Sequence, residues 1–177
     1  ILWEMADMLS LDLVDKGVVT NQIVLTVGYD KESLADGHYT GEVVCDHYGR
    51  KIPKHAHGTQ NLGRHTSSTR KIIDVTMALF DRIIDKTLLA RRLNLTACNV
   101  IREEDIPEIE SYEQISLFDM VEAANADNNA EEKERALQEA MLLIKHKYGK
   151  NAILKGTNYT EGATARERNR SIGGHKA

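Results

Sequence analysis

A chain of 177 residues, 41% of them hydrophobic, can bury one ordinary core and carry an appendage beside it. No apolar run approaches the ~20 residues of a membrane span, and no signal peptide is visible. The two cysteines, Cys45 and Cys98, lack metal-finger or redox spacing, so a reducing, cytoplasmic setting is expected. Ile1 already lies inside an amphipathic pattern, which suggests an excised fragment whose original N-terminus is missing.

The net charge of −4 conceals a polarised chain. Residues 47–71 hold six Lys or Arg, four His and no carboxylate; residues 101–120 hold seven acids and one base; residues 145–177 hold eight Lys or Arg against two acids. A local basic stretch in a slightly acidic protein points to a polyanion site.

In chain order, residues 1–16 predict a helix with Leu2, Met5, Leu9 and Leu13 on one face and Gly17 as its stop. Gln22 to Gly28 alternates as a strand, with Ile23, Leu25 and Val27 on one side. Glu42 to His47 predicts a second strand after an irregular loop over 31–41. The run KIPKHAHGTQNLGR (51–64), broken by Pro53, Gly58 and Gly63, predicts an excursion that regains strand near Thr59 to Arg64. Ser67 or Ser68 can cap a helix that carries Ile72, Val75, Leu79 and Ile83 to about Lys86. Leu89 to Arg102 predicts a third clear strand, Leu93, Leu95 and Ala97 pointing one way and Arg92, Asn94 and Thr96 the other. Residues 1–102 therefore predict an α+β sandwich: a sheet with helices on one face and a polar face toward solvent or a ligand.

Beyond 102 the character changes. Residues 103–130 are acidic and without periodicity, which predicts a linker. Glu131 to Tyr148 predicts a helix with Leu137, Met141, Ile144 and Tyr148 on one stripe, and 149–177 predict a basic, flexible tail.

Three chemistries compete for the basic region. Cys45, His47, His55 and His57 are plausible metal ligands, but their spacing suits strand pairing better than a closed four-ligand site, and the surrounding charge is positive; no metal is expected. The acids cluster in the linker and on an exposed helix side, and no nucleophile elbow is present, so no catalytic residue is expected. Nucleic-acid binding accounts better for Arg50, Lys51, Lys54, Arg64, Thr66, Ser67, Ser68 and Arg70, which combine cations, hydroxyls and a helix N-terminus suited to phosphate. Arg91 and Arg92 would extend that patch across the polar sheet face. Aromatics are few, which favours backbone contact with a duplex. The bland alternative is a solvated basic surface, and the rival from another class is a zinc- or nucleotide-binding hydrolase using the histidine-rich loop.

Inside the acidic segment, EQISLFD (113–119) sets two large apolar side chains side by side where nothing repeats. A linear motif of this kind inserts Leu117 and Phe118 into a partner's pocket while Gln114 fixes register; the alternative is that Phe118 packs on the neighbouring domain.

Gln114, Ile115, Ser116, Leu117 and Phe118 resemble the sliding-clamp-binding motif of bacterial polymerases and repair proteins, with Ile115 in place of Leu. NQIVLTVGYD (21–30), DHYGRKIPKHAHGT (46–59), LGRHTSST (62–69) and the terminal run from Asn151 resemble the C-terminal part of a Y-family DNA polymerase of the ImpB/MucB/SamB, UmuC-like type. The resemblance implies that 1–102 is most of a little finger, a domain that grips template-primer duplex DNA. That domain has four strands with two helices on one face of an antiparallel or mixed sheet; its first strand is expected to be missing here. It implies a palm upstream carrying the metal-binding carboxylates. The fragment would then need no cofactor and would not polymerise alone, magnesium belonging to the parent. The partners implied are duplex DNA, the sliding clamp and the remainder of the parent polymerase, which would perform error-prone synthesis across damage.

Overall fold

The computed structural model describes residues 1–35, 37–106, 119–172 and 175–176, with 119–129, 171–172 and 175–176 described by backbone alone. The chain runs α1 (Leu2–Asp15), β1 (Val18–Tyr29), a 3-10 turn (Lys31–Leu34), β2 (Val43–Cys45), β3 (Lys51–Pro53), β4 (Ala56–Thr66), α2 (Thr69–Ile83), β5 (Ala90–Cys98) and β6 (Ile101–Arg102). After a 3-10 turn at Glu103–Asp105 come α3 (Asp119–Tyr148), a 3-10 turn at Gly156–Tyr159, the short α4 (Ala165–Arg168) and a small hairpin of β7 (Ser171–Ile172) with β8 (His175–Lys176).

The central strand is β1. It pairs antiparallel with β4 on one edge and with β5, then β6, on the other. Its alternation is the one expected: Ile23, Leu25, Val27 and Tyr29 are buried on one side, and both α1 and α2 cover that side, contributing Leu2, Ala6 and Leu13 from the first helix and Ile72, Ile73 and Leu79 from the second. The fold is α+β, with an antiparallel sheet and two helices on one face. Ser68 caps α2, its hydroxyl accepting from the Lys71 backbone N–H at 3.3 Å. Gly17, at φ 62, turns the chain out of α1 into β1.

Three elements differ from the sequence expectation. The strand expected over 42–47 is only Val43–Cys45, and it pairs with Lys51–Pro53 in a separate two-stranded hairpin instead of joining the main sheet. Pro53 cannot donate to a ladder, which suits the end of so short a strand. The strand expected over 89–102 breaks at Asn99, whose φ of 52 bends the chain before β6 returns to pair with Val18 and Val19. The helix expected from 131 begins at Asp119, inside the stretch expected as linker.

The first helix also has a second buried side. Glu4 and Asp7 are buried acids that local sequence leaves without partners. Residues 155–168, expected within a tail, supply them. Lys155 Nζ lies 2.5 Å from Asp7 Oδ1, Asn158 Nδ2 donates to Glu4 Oε1 at 3.1 Å, and the Thr164 backbone N–H donates to Glu4 Oε2 at 3.0 Å. Burial on its own would raise the Glu4 pKa, but these hydrogen bonds, with one from the Ala165 backbone, hold it below the usual carboxylate range.

Two outcomes follow from this packing. A Cβ at Gly58 would lie 2.8 Å from Ile83 Cγ2 and 2.8 Å from Leu79 Cδ1, so the glycine lets α2 approach β4. Gly58→Val should therefore destabilise the fold by ~1–3 kcal/mol in a denaturant melt, whereas Gly156→Val, with open space around its Cβ, should cost far less. Because the folded pKa of Glu4 is depressed, its contribution is present above the ordinary carboxylate range and is lost as pH falls through the lower folded value. Melting temperature measured against pH should lose part of its acid dependence in Glu4→Gln.

Candidate nucleic-acid interface

The face of the sheet away from the helices is set by register. Opposite the buried Ile23, Leu25 and Val27, the strand turns Gln22, Val24, Thr26 and Gly28 outward. Their cross-strand partners are Asn61, Thr59 and His57 on β4, and Cys98, Thr96, Asn94 and Arg92 on β5. None of these is a carboxylate. Cross-strand bonds order the face: Gln22 Nε2 donates to Asn61 Oδ1 at 3.0 Å, and Thr26 Oγ1 lies 3.0 Å from His57 Nδ1. Arg92 stands at one end, beside Gly28, and makes no ion pair among the described residues. Amides, hydroxyls and guanidinium groups are the side chains that contact a sugar-phosphate backbone without reading bases.

The β2–β3 hairpin leaves the sheet at that same end, since β4 begins at Ala56 opposite Val27. Arg50 reaches back to Asp46 at 2.6 Å and Lys54 to Glu42 at 2.6 Å, while Lys51 makes no ion pair among the described residues. The Arg50 side chain, with backbone N–H donors from Arg50 and Tyr48, holds the Asp46 carboxyl below its usual range. Arg91 pairs with Asp30 at 3.2 Å on the flank of the sheet and does not share the Arg92 face.

The third part of the expected patch lies at the start of α2, and there the structure supplies its own anions. Glu131 on α3 bonds Arg64 and, at 2.6 Å, Lys71. Glu134 accepts from Ser68 Oγ at 2.7 Å and from the Arg70 backbone N–H at 2.9 Å. Arg135 donates to Ser67 Oγ at 3.3 Å, and Gln138 Nε2 donates to Ser67 O and Thr69 Oγ1, each at 2.9 Å. Thr66 Oγ1 turns inward to the Ser68 N–H. Burial would raise the Glu131 pKa, but the Lys71 hydrogen bond and the charges of Arg64 and Lys71 lower it. The residues grouped by sequence thus fall into three places: hairpin (Arg50, Lys51, Lys54), α2 start (Arg64, Thr66, Ser67, Ser68, Arg70) and sheet (Arg92 on the face, Arg91 on its flank).

Sequence reasoning missed the neutral members of the face, Gln22, Thr26, His57, Thr59 and Asn61, because it searched for charge. It also missed the counter-charges on α3, although Glu131, Glu134, Gln138 and Met141 recur at helical spacing and mark a face of their own. His57 bonds across the sheet to Thr26, and no group of three or more His, Cys, Asp or Glu among the described residues is placed to hold a metal ion. The Gln114–Phe118 motif lies outside the described residues.

Comparison with known proteins adds family to geometry. Over 160 residues, 90% of its length, the chain is 31% identical to the Putative UV-damage repair protein UvrX of Bacillus subtilis (strain 168), and it spans 30% of that protein. No solved structure matches the chain. Residues 1–117, which include the whole sheet and both of its helices, match the impB/mucB/samB family C-terminal domain, and the chain belongs to that family.

Proposed function

We propose that this chain is the DNA-gripping C-terminal part of a Y-family translesion polymerase acting in DNA damage repair, and that its outer sheet face lies on the backbone of the template-primer duplex. The observation that carries this reading is the outer face itself: carboxylate-free, ordered by cross-strand hydrogen bonds, and ending in an Arg92 with no ion pair among the described residues. The family and the UV-damage repair named for the relative support it. Palm chemistry and its magnesium would belong to the remainder of the parent polymerase. Within the basic set, Arg92 and Lys51 make no ion pair among the described residues, whereas Arg64 is engaged by Glu131.

Binding should therefore be insensitive to sequence and steeply salt-dependent, each neutralised phosphate adding about −0.9 to the slope of log affinity against log salt. Fluorescence anisotropy across a salt series should show a flatter slope for the double variant Lys51→Ala, Arg92→Ala, and little change for Arg64→Ala. An unaltered slope in the double variant would sink the assignment to this face.

The second part of the proposal concerns Gln114, Ile115, Ser116, Leu117 and Phe118, which would tether the parent enzyme to the sliding clamp. Burying Leu117 and Phe118 in a partner's pocket would contribute roughly 1.5–3 kcal/mol each before ordering costs. Replacing both with Ala should abolish clamp binding by a peptide spanning 111–120 and by the full chain alike, with an unchanged melting temperature. A clear loss of stability instead would make Phe118 a core residue.

A further inference from the structure

Tyr48, at the tip of the β2–β3 hairpin, is 78% exposed, more than any other large hydrophobic side chain among those described. The turn that carries it is nevertheless densely hydrogen-bonded. Asp46 Oδ1 accepts from the backbone N–H groups of Tyr48 and Arg50, both at 2.9 Å, and Asp46 Oδ2 accepts from Arg50 Nε at 2.7 Å. The Asp46 N–H donates to Arg50 O at 2.9 Å, and the Gly49 N–H donates to Asp46 O at 2.9 Å. Gly49 takes φ 75, a conformation in which a side chain would be strained. The guanidinium so anchored lies over the Tyr48 ring, 5.0 Å from its centroid, and His47 meets the ring edge-on at 5.4 Å.

A hairpin whose function is only to connect two strands needs no aromatic ring held out against an arginine. The neighbours also say what the ring does not await. A protein pocket would be matched by apolar companions, but here the flanking side chains are His47, Arg50 and Lys51. Asp46, the one nearby carboxylate in the turn, is bound to Arg50 and sets little negative charge against phosphate. The hairpin also springs from the Arg92 end of the outer sheet face, which places it beyond one end of whatever lies on that face.

We propose that Tyr48, backed by Arg50, is a stacking platform for an unpaired base of the nucleic acid; this rests on the reading of the sheet as the duplex-binding face. Bases inside a duplex are covered on both sides, so only an unpaired one offers its ring. Stacking tolerates any base, since each has a π face. The turn that presents the ring is already held by the Asp46 hydrogen bonds, so its backbone gives up little freedom on binding.

The full chain is titrated by fluorescence anisotropy against a blunt duplex and against the same duplex carrying a short single-stranded overhang. The unaltered protein should bind the overhang substrate about 5- to 150-fold more tightly, the range that loss of one base–aromatic stack spans. Tyr48→Ala should erase that preference and leave blunt-duplex affinity in place, and Tyr48→Phe should retain it. Equal affinity of the unaltered protein for the two substrates, or an overhang preference that survives Tyr48→Ala, would overturn the platform while the duplex-binding reading stands on the blunt-duplex result. Binding of the overhang substrate alone, lost in Tyr48→Ala, would support the platform and overturn the sheet reading. Binding of neither overturns both.

Discussion

The register of β1 is the constraint on which the rest of the structure depends. It is the strand paired along both edges, and from Gln22 to Tyr29 its side chains alternate between a buried row (Ile23, Leu25, Val27, Tyr29) and an outward row that carries Gln22 and Thr26. A slip of one residue would turn Ile23, Leu25 and Val27 to solvent and drive Gln22 and Thr26 into the core, a loss of roughly 1.5–3 kcal/mol for each large side chain exposed. The position of β4 and β5 follows from that register, and with it the composition of the outer face. The candidate site is thus a by-product of core packing: once α1 and α2 claim one side, the other side is fixed residue by residue.

The same logic explains how the edge of the sheet is kept closed. On the outer side of β4 the backbone carbonyl of Thr59 accepts from Arg82 on α2 at 3.0 Å, and Gln60 accepts from the same guanidinium at 2.7 Å. A helix residue thereby occupies an acceptor that another strand could otherwise pair with. Gly58 permits this by letting α2 come within contact of the strand. The sheet's geometry and the protection of its edge come from one close approach.

What could be read in the sequence was local. The alternation of 22–28, the Ser68 cap with its apolar stripe on α2, and the apolar/polar split of β5 all follow from patterns within a dozen residues, and the described fold matches them. What could not be read depends on chain segments far apart. Glu4 and Asp7 look like solvent-facing acids on an amphipathic helix until Lys155, Asn158 and Thr164, some 150 residues later, bring the donors that let them be buried. The hairpin of β2 and β3 escaped as a separate unit because strands of three residues carry too few positions for alternation to show. Arg64 and Lys71 stood out as cations in a carboxylate-free run, but a run has no knowledge of Glu131, which sits about 60 residues downstream.

Charge in this protein is therefore divided between two tasks. At the start of α2, cations, hydroxyls and free N–H groups form a place suited to an anion, and α3 fills it with Glu131 and Glu134. Those pairs are partly exposed and each contributes little by itself, on the order of 0–1 kcal/mol, but the buried Gln138 and Met141 behind them add directional and apolar contacts. Helix α3 is held on the domain by the very feature that made the region look like a nucleic-acid site. On the sheet the opposite choice prevails: Arg92, which makes no ion pair among the described residues, stands among neutral side chains, of which Gln22 bonds Asn61 and Thr26 bonds His57 across the strands. Such a surface leaves a backbone phosphate room to bind without having to displace an internal anion first. A high density of basic residues in sequence marks where anions are needed, and the fold decides whether the chain provides them itself.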